Sequence, residues 1–156
     1  MRPALGQPAP DFRGVTTDGS EVGLADFRGT KLVLYFYPMD FTPGCTAQAC
    51  SLRDHNAEIQ AKGAKILGVS TQDAASHKRF TQTHRLNFPL LADADRSVAR
   101  AYGAIGGGGL FGFAQAMMGL ADRVTFIIDE QGKIAHVIDQ PSSTRHAQEV
   151  LARLSG

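Results

Sequence analysis

A chain of 156 residues, 43% hydrophobic and 20% charged, has the length and composition of one globular domain covering residues 1–156. At this size folding buries about two-thirds of the surface that the unfolded chain exposes, so no disulfide staple is needed. A formal net charge of +1 without a basic stripe argues against nucleic acid as a partner, and no apolar run nears the ~20 residues of a membrane span. The N-terminus has prolines and Asp11 but no apolar signal segment. Two cysteines without an export signal indicate a reducing compartment, here the cytoplasm. In such a compartment a cysteine pair is more often catalytic or metal-binding than structural.

Taken in order, residues 1–11 read as an irregular lead-in. Phe12–Val15 and Glu21–Gly23 pair as a hairpin around Thr17-Asp18-Gly19, since Asp-Gly suits a tight turn. Leu24–Phe27 is a helical turn. The apolar run 31–37 is a buried strand, ended by Pro38, which has no N–H to donate. A helix follows to about Lys62, with Ala49, Leu52 and Ile59 near one face and Gly63 as its stop. Ala64–Ser70 is the next strand, and Asp73 caps a helix over 74–85 with Phe80 inward. Phe88–Ala92 is a short strand, and Asp95 starts a helix to about Tyr102. Val124–Asp129 and Ile134–Asp139 form a hairpin across Glu130-Gln131-Gly132-Lys133. Ser142 or Ser143 caps a last helix striped by Ala147, Val150, Leu151 and Leu154. Helices between strands imply parallel crossovers, and the late hairpin adds an antiparallel part. The fold class is therefore α/β, a mixed sheet with helices on both faces.

Both cysteines, Cys45 and Cys50, lie where the first long helix begins. Thr42, Pro43 and Gly44 form a turn into that helix, and proline is tolerated in its first turn. Cys45 therefore sits near a helix N-terminus, where unpaired N–H groups and the helix dipole favour thiolate over thiol. On a regular helix, Cys45 and Cys50 are separated by about 7.5 Å of rise and about 140° of rotation, so their Cα atoms stand roughly 8–9 Å apart. A disulfide needs them closer than about 7 Å. Bonding the two cysteines thus requires the helix to unwind at its first turns. The alternative is a pair of inert buried thiols.

The segment Pro38-Met39-Asp40-Phe41-Thr42-Pro43-Gly44-Cys45 resembles the Pro-x-x-x-Thr-x-x-Cys signature of the peroxiredoxins. Cys50, five residues on, resembles the bacterioferritin-comigratory, or peroxiredoxin Q, branch, in which the resolving cysteine shares the helix of the peroxidatic one. Gly6–Phe12, Phe88–Leu91 and Arg123–Asp129 fit as well, so the likeness spans nearly the whole chain. It implies a thioredoxin-like fold, with a central mixed β-sheet flanked by helices and an N-terminal hairpin extension. It also implies a thiol-dependent peroxidase acting on hydrogen peroxide and organic hydroperoxides, without metal, haem or flavin. In that reading Cys45 is peroxidatic and Cys50 resolves it. Thr42 and Arg123 activate and position, while Pro38 and Pro43 wall the pocket. Thioredoxin or glutaredoxin is the implied reductant. An internal resolving cysteine permits a monomer and does not forbid a weak homodimer. Three departures stand out. Met39 replaces an expected basic residue, Gln48 replaces an expected glutamate, and Gly106–Leu120 is unusually rich in glycine and methionine.

The residues themselves leave alternatives open. Thr42 is equally a plain helix N-cap. Arg123, at a strand edge, reads by itself as a solvated surface charge, and only the likeness of the following Thr-Phe-Ile-Ile-Asp reverses that. A thiol–disulfide oxidoreductase on the same fold is one rival, although its usual Cys-x-x-Cys spacing is absent; a redox-sensing binding protein is another. Metal is not expected, because Cys45, Cys50 and His55 are spaced by five and all five histidines read as solvated or structural. Gly107, Gly109 and Gly112 match G-x-G-x-x-G, but after a helix rather than a strand. Leu110, Phe111, Phe113, Met117 and Met118 belong either to a surface segment that covers the active-site edge or contacts another protomer, or to the core side of a short helix at 113–120.

Overall fold

A computed structural model describes residues 2–106, 113–114 and 117–155. Its seven strands are β1 (Arg13–Thr16), β2 (Glu21–Gly23), β3 (Lys31–Phe36), β4 (Ala64–Ser70), β5 (Leu90–Ala92), β6 (Val124–Ile128) and β7 (Ile134–Asp139). They form one sheet in the order β2-β1-β5-β4-β3-β6-β7. The pairs β3–β4 and β4–β5 are parallel, while β6 lies antiparallel to β3 and β7 antiparallel to β6. The N-terminal hairpin joins the sheet through β1, antiparallel to β5. The helices are α1 (Pro43–Ala61), α2 (Ala74–His84), α3 (Ser97–Ala101) and α4 (His146–Leu154). Leu24–Phe27 is a 3-10 turn. This is the mixed, thioredoxin-like α/β architecture expected from the sequence. No helix among the described residues is long and apolar enough to cross a membrane.

The central strands read as continuous apolar runs because both of their faces are covered. Alternate residues of β3 feed two cores. Leu32, Leu34 and Phe36 pack with Val98, Tyr102 and Phe126 on one side. Val33, Tyr35 and Tyr37 pack on the other with Ala49, Leu52, Ile59, Phe80 and Val150. The face of α1 expected from Ala49, Leu52 and Ile59 is thus the buried one, and Gly63 takes the left-handed conformation (φ +80°) just past its end.

Three element starts differ from the sequence reading by two residues or more, and the other boundaries of the elements named above by at most one. The strand expected from Phe88 begins at Leu90. The helix expected from Asp95 begins at Ser97 and ends at Ala101. Two aspartates organise its start: Asp95 accepts from the Ser97 amide at 3.1 Å, and the buried Asp93 from the amides of Val98 and Ala99 at 3.0 and 2.9 Å. The last helix begins at His146, after Ser142 and Ser143. Ser142 caps a separate turn, its hydroxyl accepting from the Arg145 amide while its own amide donates to Glu149. Beyond Gly106, residues 113, 114 and 117 are helical. Phe113, Met117 and Met118 are 58%, 75% and 70% exposed, so for these three the core-packing alternative is overturned. Gly107, Gly109, Leu110, Phe111 and Gly112 lie outside the described residues.

Candidate active site

The site is built where β3 ends. The chain leaves the sheet at Tyr37, passes the buried Pro38 and enters α1 with Thr42 as N-cap and Pro43 as the first helical residue. Cys45 is therefore in the first turn of a 19-residue helix, with the positive end of the helix dipole beside it. It is 1% exposed, and Cys50 on the same helix is half-buried; both are free thiols.

Arg123 comes from the far end of the chain and is brought in by sheet register. Phe36 pairs with Val124, so the residue before Val124 lies next to the exit of β3, beside the first turn of α1. One guanidinium nitrogen, Nη2, donates to Cys45 Sγ at 3.3 Å, and Nη1 donates to Gln48 Oε1 at 2.8 Å. The fork thus holds two residues of α1 at once, as a planar guanidinium can and an ammonium cannot. Gln48 is buried one helical turn beyond Gly44. It offers its amide oxygen where the resemblance leads to the expectation of a glutamate, so the cation beside Cys45 is not neutralised by this partner. A Cβ on Gly44 would stand 3.1 Å from Arg123 Nη2, so a glycine there lets the arginine lie close against the helix start.

Thr42 holds the N-cap position through its backbone, its carbonyl accepting from the Thr46 amide at 2.8 Å. Its hydroxyl makes no capping bond and donates instead to the Met39 carbonyl at 3.0 Å, which closes the loop. That hydroxyl oxygen keeps acceptor capacity. The two prolines grouped together by the sequence are separated by burial: Pro38 is buried and its carbonyl accepts from Gln72 Nε2 at 3.1 Å, whereas Pro43 is exposed at the helix start.

Two buried histidines flank this arrangement. His146 opens α4, with Nε2 2.8 Å from Thr125 Oγ1 and its ring 5.6 Å from that of Tyr35. Burial, then the nearby charge of Arg123, pushes its pKa down to about 3, so the ring is neutral. Burial likewise pushes the Tyr35 phenol well above its usual range. His77 opens towards the loop before α1 and pairs with Asp40 at 2.7 Å. Sequence reasoning missed Asp40 and His77. An aspartate in a turn and a histidine inside a helix give no sign that they meet. No group of three or more His, Cys, Asp or Glu side chains among the described residues is arranged to hold a metal.

The site thus sets a cysteine at a helix start, beneath a guanidinium, at the C-terminal end of a central strand of a mixed sheet. The AhpC/TSA family model matches residues 5–137. Peroxiredoxin Bcp of Escherichia coli (strain K12) is 40% identical over 146 residues, which is 94% of this chain and 92% of that protein. The crystal structure of peroxidoxin BcpB from Mycobacterium tuberculosis superposes with a TM-score of 0.83 at 34% identity, covering 97% of this chain and 96% of that one. The bacterioferritin comigratory protein of Xanthomonas campestris, described for its alkyl peroxide reduction activity, gives 0.85 at 30% identity, covering 97% and 98%. With the signature around Cys45 and relatives matched over nearly their full length, the chain belongs to the AhpC/TSA family, and within it to the Bcp, or peroxiredoxin Q, peroxiredoxins.

Proposed function

We propose that this thiol peroxidase works by a two-cysteine, intramolecular cycle in which Cys45 is the nucleophile and Cys50 the resolving thiol. The observation that carries the reading is the Arg123 guanidinium 3.3 Å from Cys45 Sγ, at a helix start that also bears a second free thiol. The Cys45 thiolate attacks one oxygen of the peroxide, the O–O bond breaks, and the leaving oxygen departs as water or an alcohol after taking a proton. The cation and the helix N-terminus favour the thiolate, and the same guanidinium is placed to stabilise the charge that develops on the leaving oxygen. Thr42 contributes an acceptor for the peroxide proton, and Pro38 keeps water from the sulfur. Cys45 is left as a sulfenic acid. The Cys50 thiol then displaces that hydroxyl, which leaves as water, and an internal disulfide forms. A dithiol protein of the thioredoxin or glutaredoxin type returns both cysteines to thiols through a mixed disulfide.

Rapid mixing of the reduced protein with stoichiometric hydrogen peroxide, followed by intact mass, tests this. Wild type loses two hydrogens. Cys50→Ser, left with Cys45 as its one cysteine, gains one oxygen at a similar rate. A wild-type protein that reacts no faster than free cysteine would remove the peroxidase reading.

Gly44→Ala probes the seat of the arginine. The added Cβ forces Nη2 to give by a few tenths of an ångström. We expect a several-fold slower oxidation of Cys45 with little change in melting temperature. An unchanged rate would mean that the guanidinium adapts without loss.

A further inference from the structure

We propose that Asp40 and His77 form a positioning pair for Cys45, and that with Ser51 on the far side they confine the unwinding of α1 to residues 43–50. This rests on the intramolecular cycle above. Asp40 is buried in the loop between β3 and α1. Its Oδ1 accepts from the Tyr37 hydroxyl at 2.6 Å, and its Oδ2 accepts from Ser76 Oγ at 2.8 Å and meets His77 Nδ1 at 2.7 Å. The other ring nitrogen of the fully buried His77 lies 3.1 Å from the Leu91 carbonyl. Both ring nitrogens face oxygen atoms, so the buried ring is held from two sides, on one of them by the buried Asp40 carboxyl group. Burial alone would raise the Asp40 carboxyl. The hydrogen bond and charge of His77, with the hydroxyls of Tyr37 and Ser76, outweigh burial and hold it below the usual carboxylate range. Such a pair is costly to break by removing one member, because the other is left buried and uncompensated.

The backbone of the same loop is tied down as well. The Asp40 amide donates to Gln72 Oε1 at 3.0 Å, and Gln72 Nε2 donates to the Pro38 carbonyl. Phe41 follows in the left-handed region (φ +67°), with its ring edge-on to Phe80. Past Cys50, α1 is pinned again: Ser51 Oγ accepts from the Ala147 amide at 3.1 Å, and Arg53 Nη1 donates to the His84 carbonyl at 2.6 Å. Between these anchors the tethers are few. Among the described residues, the side-chain hydrogen bonds that link residues 43–50 to distant parts of the chain both come from Arg123.

The segment that bears both cysteines is thus held by one releasable hand between two fixed pins. Conversion of the Cys45 thiolate to a neutral sulfenic acid removes the charge that Arg123 grips and frees residues 43–50 to unwind. The upstream pin then decides how Cys45 is presented before oxidation and how far the melt runs after it.

The experiment compares wild type with Asp40→Asn and His77→Gln in two separated steps: peroxide oxidation of Cys45, and closure of the disulfide from the sulfenic acid. Hydrogen exchange of the oxidised wild type is read alongside. Loosening the upstream pin should slow the first step about 10- to 100-fold, the scale of a misplaced reacting group, and speed the second several-fold. Less sulfinic acid should form at excess peroxide. In oxidised wild type, loss of protection should stop at Asp40 and at Ser51. Variants that keep both rates, or a folded variant in which both steps slow together, would overturn the pinning role. So would exchange in oxidised wild type that spreads into α2, and this readout stands even if both variants fail to fold. A wild type that forms no Cys45–Cys50 disulfide overturns the intramolecular cycle itself, a result distinct from unchanged variants.

Discussion

Arg123→Ala should lower the second-order rate of Cys45 with hydrogen peroxide by about 10²–10³-fold, the range for removing one preorganised donor from a site where charge develops. The substitution takes away the cation 3.3 Å from Sγ and the donor facing the leaving oxygen together. Because Gln48 is neutral, that partner does not offset the cation beside the sulfur. Arg123→Lys should recover part of the rate. An ammonium restores the charge but is a point donor, and it cannot span Sγ and Gln48 Oε1 as the fork does. Stability should also fall by about 1–3 kcal/mol in Arg123→Ala, since the Gln48 oxygen is left buried without its donor. The chain has no tryptophan, so quenched flow with intact mass is the suitable readout. An Arg123→Ala rate within threefold of wild type would remove this arginine from the chemistry.

Acidification should destabilise the fold well before the carboxylates protonate, and His146 is the cause. Its folded pKa, pushed down to about 3 by burial and then by Arg123, lies below the ordinary 6.5. Below about pH 6.5 the unfolded chain binds a proton that the folded one refuses. The stability associated with neutral His146 is therefore complete above that pH and is lost as pH falls towards 3. A shift of this size corresponds to about 3–5 kcal/mol at the acid end, a large share of the 5–15 kcal/mol typical of a domain. Asp40, held low, adds its own loss only below about pH 4, while burial raises the Asp93 carboxyl, which works against the histidine as pH falls, so His146 is isolated by the difference between wild type and His146→Gln over the interval from pH 6.5 to 4.5. Urea unfolding at several pH values should show uptake of close to one proton over that interval in wild type. His146→Gln should start less stable at pH 7 and show a flatter pH dependence. Equal slopes in the two proteins would contradict the assignment.

Much of the site was legible because its signals are local. Pro43 and Gly44 announce a helix start, the periodicity of Ala49, Leu52 and Ile59 picks the buried face of α1, and a five-residue spacing of the cysteines on one helix means that bonding them requires unwinding. What could not be read depends on register between distant strands. Nothing near Arg123 says that it faces Cys45; that follows from Phe36 lying opposite Val124 across the β3–β6 pair. By itself it reads as a strand-edge surface charge, and only the family likeness places it near the cysteine. Gln48 stood out as a departure, but its role as partner of Arg123 emerged only in three dimensions. His77 falls at a position in α2 that reads as either solvated or structural, and only the turn of the loop after β3 puts Asp40 against it. The misplaced starts of α3 and α4 share one cause. Several capping-type residues sit side by side, Asp93 with Asp95 and Ser142 with Ser143, and tertiary context decides which one caps what.

The central place of β3 in the sheet also sets when this site comes into being. Cys45 is made early, but the strand that brings its arginine is synthesised 78 residues later. At the usual pace of about 5–20 residues per second, that delay is roughly 4–16 s, before any time spent clearing the ribosome. During that interval the newborn chain carries a bare cysteine with no guanidinium over it. On the proposed chemistry, the guanidinium would reach Cys45 only when β6 slots in beside β3, late in biosynthesis.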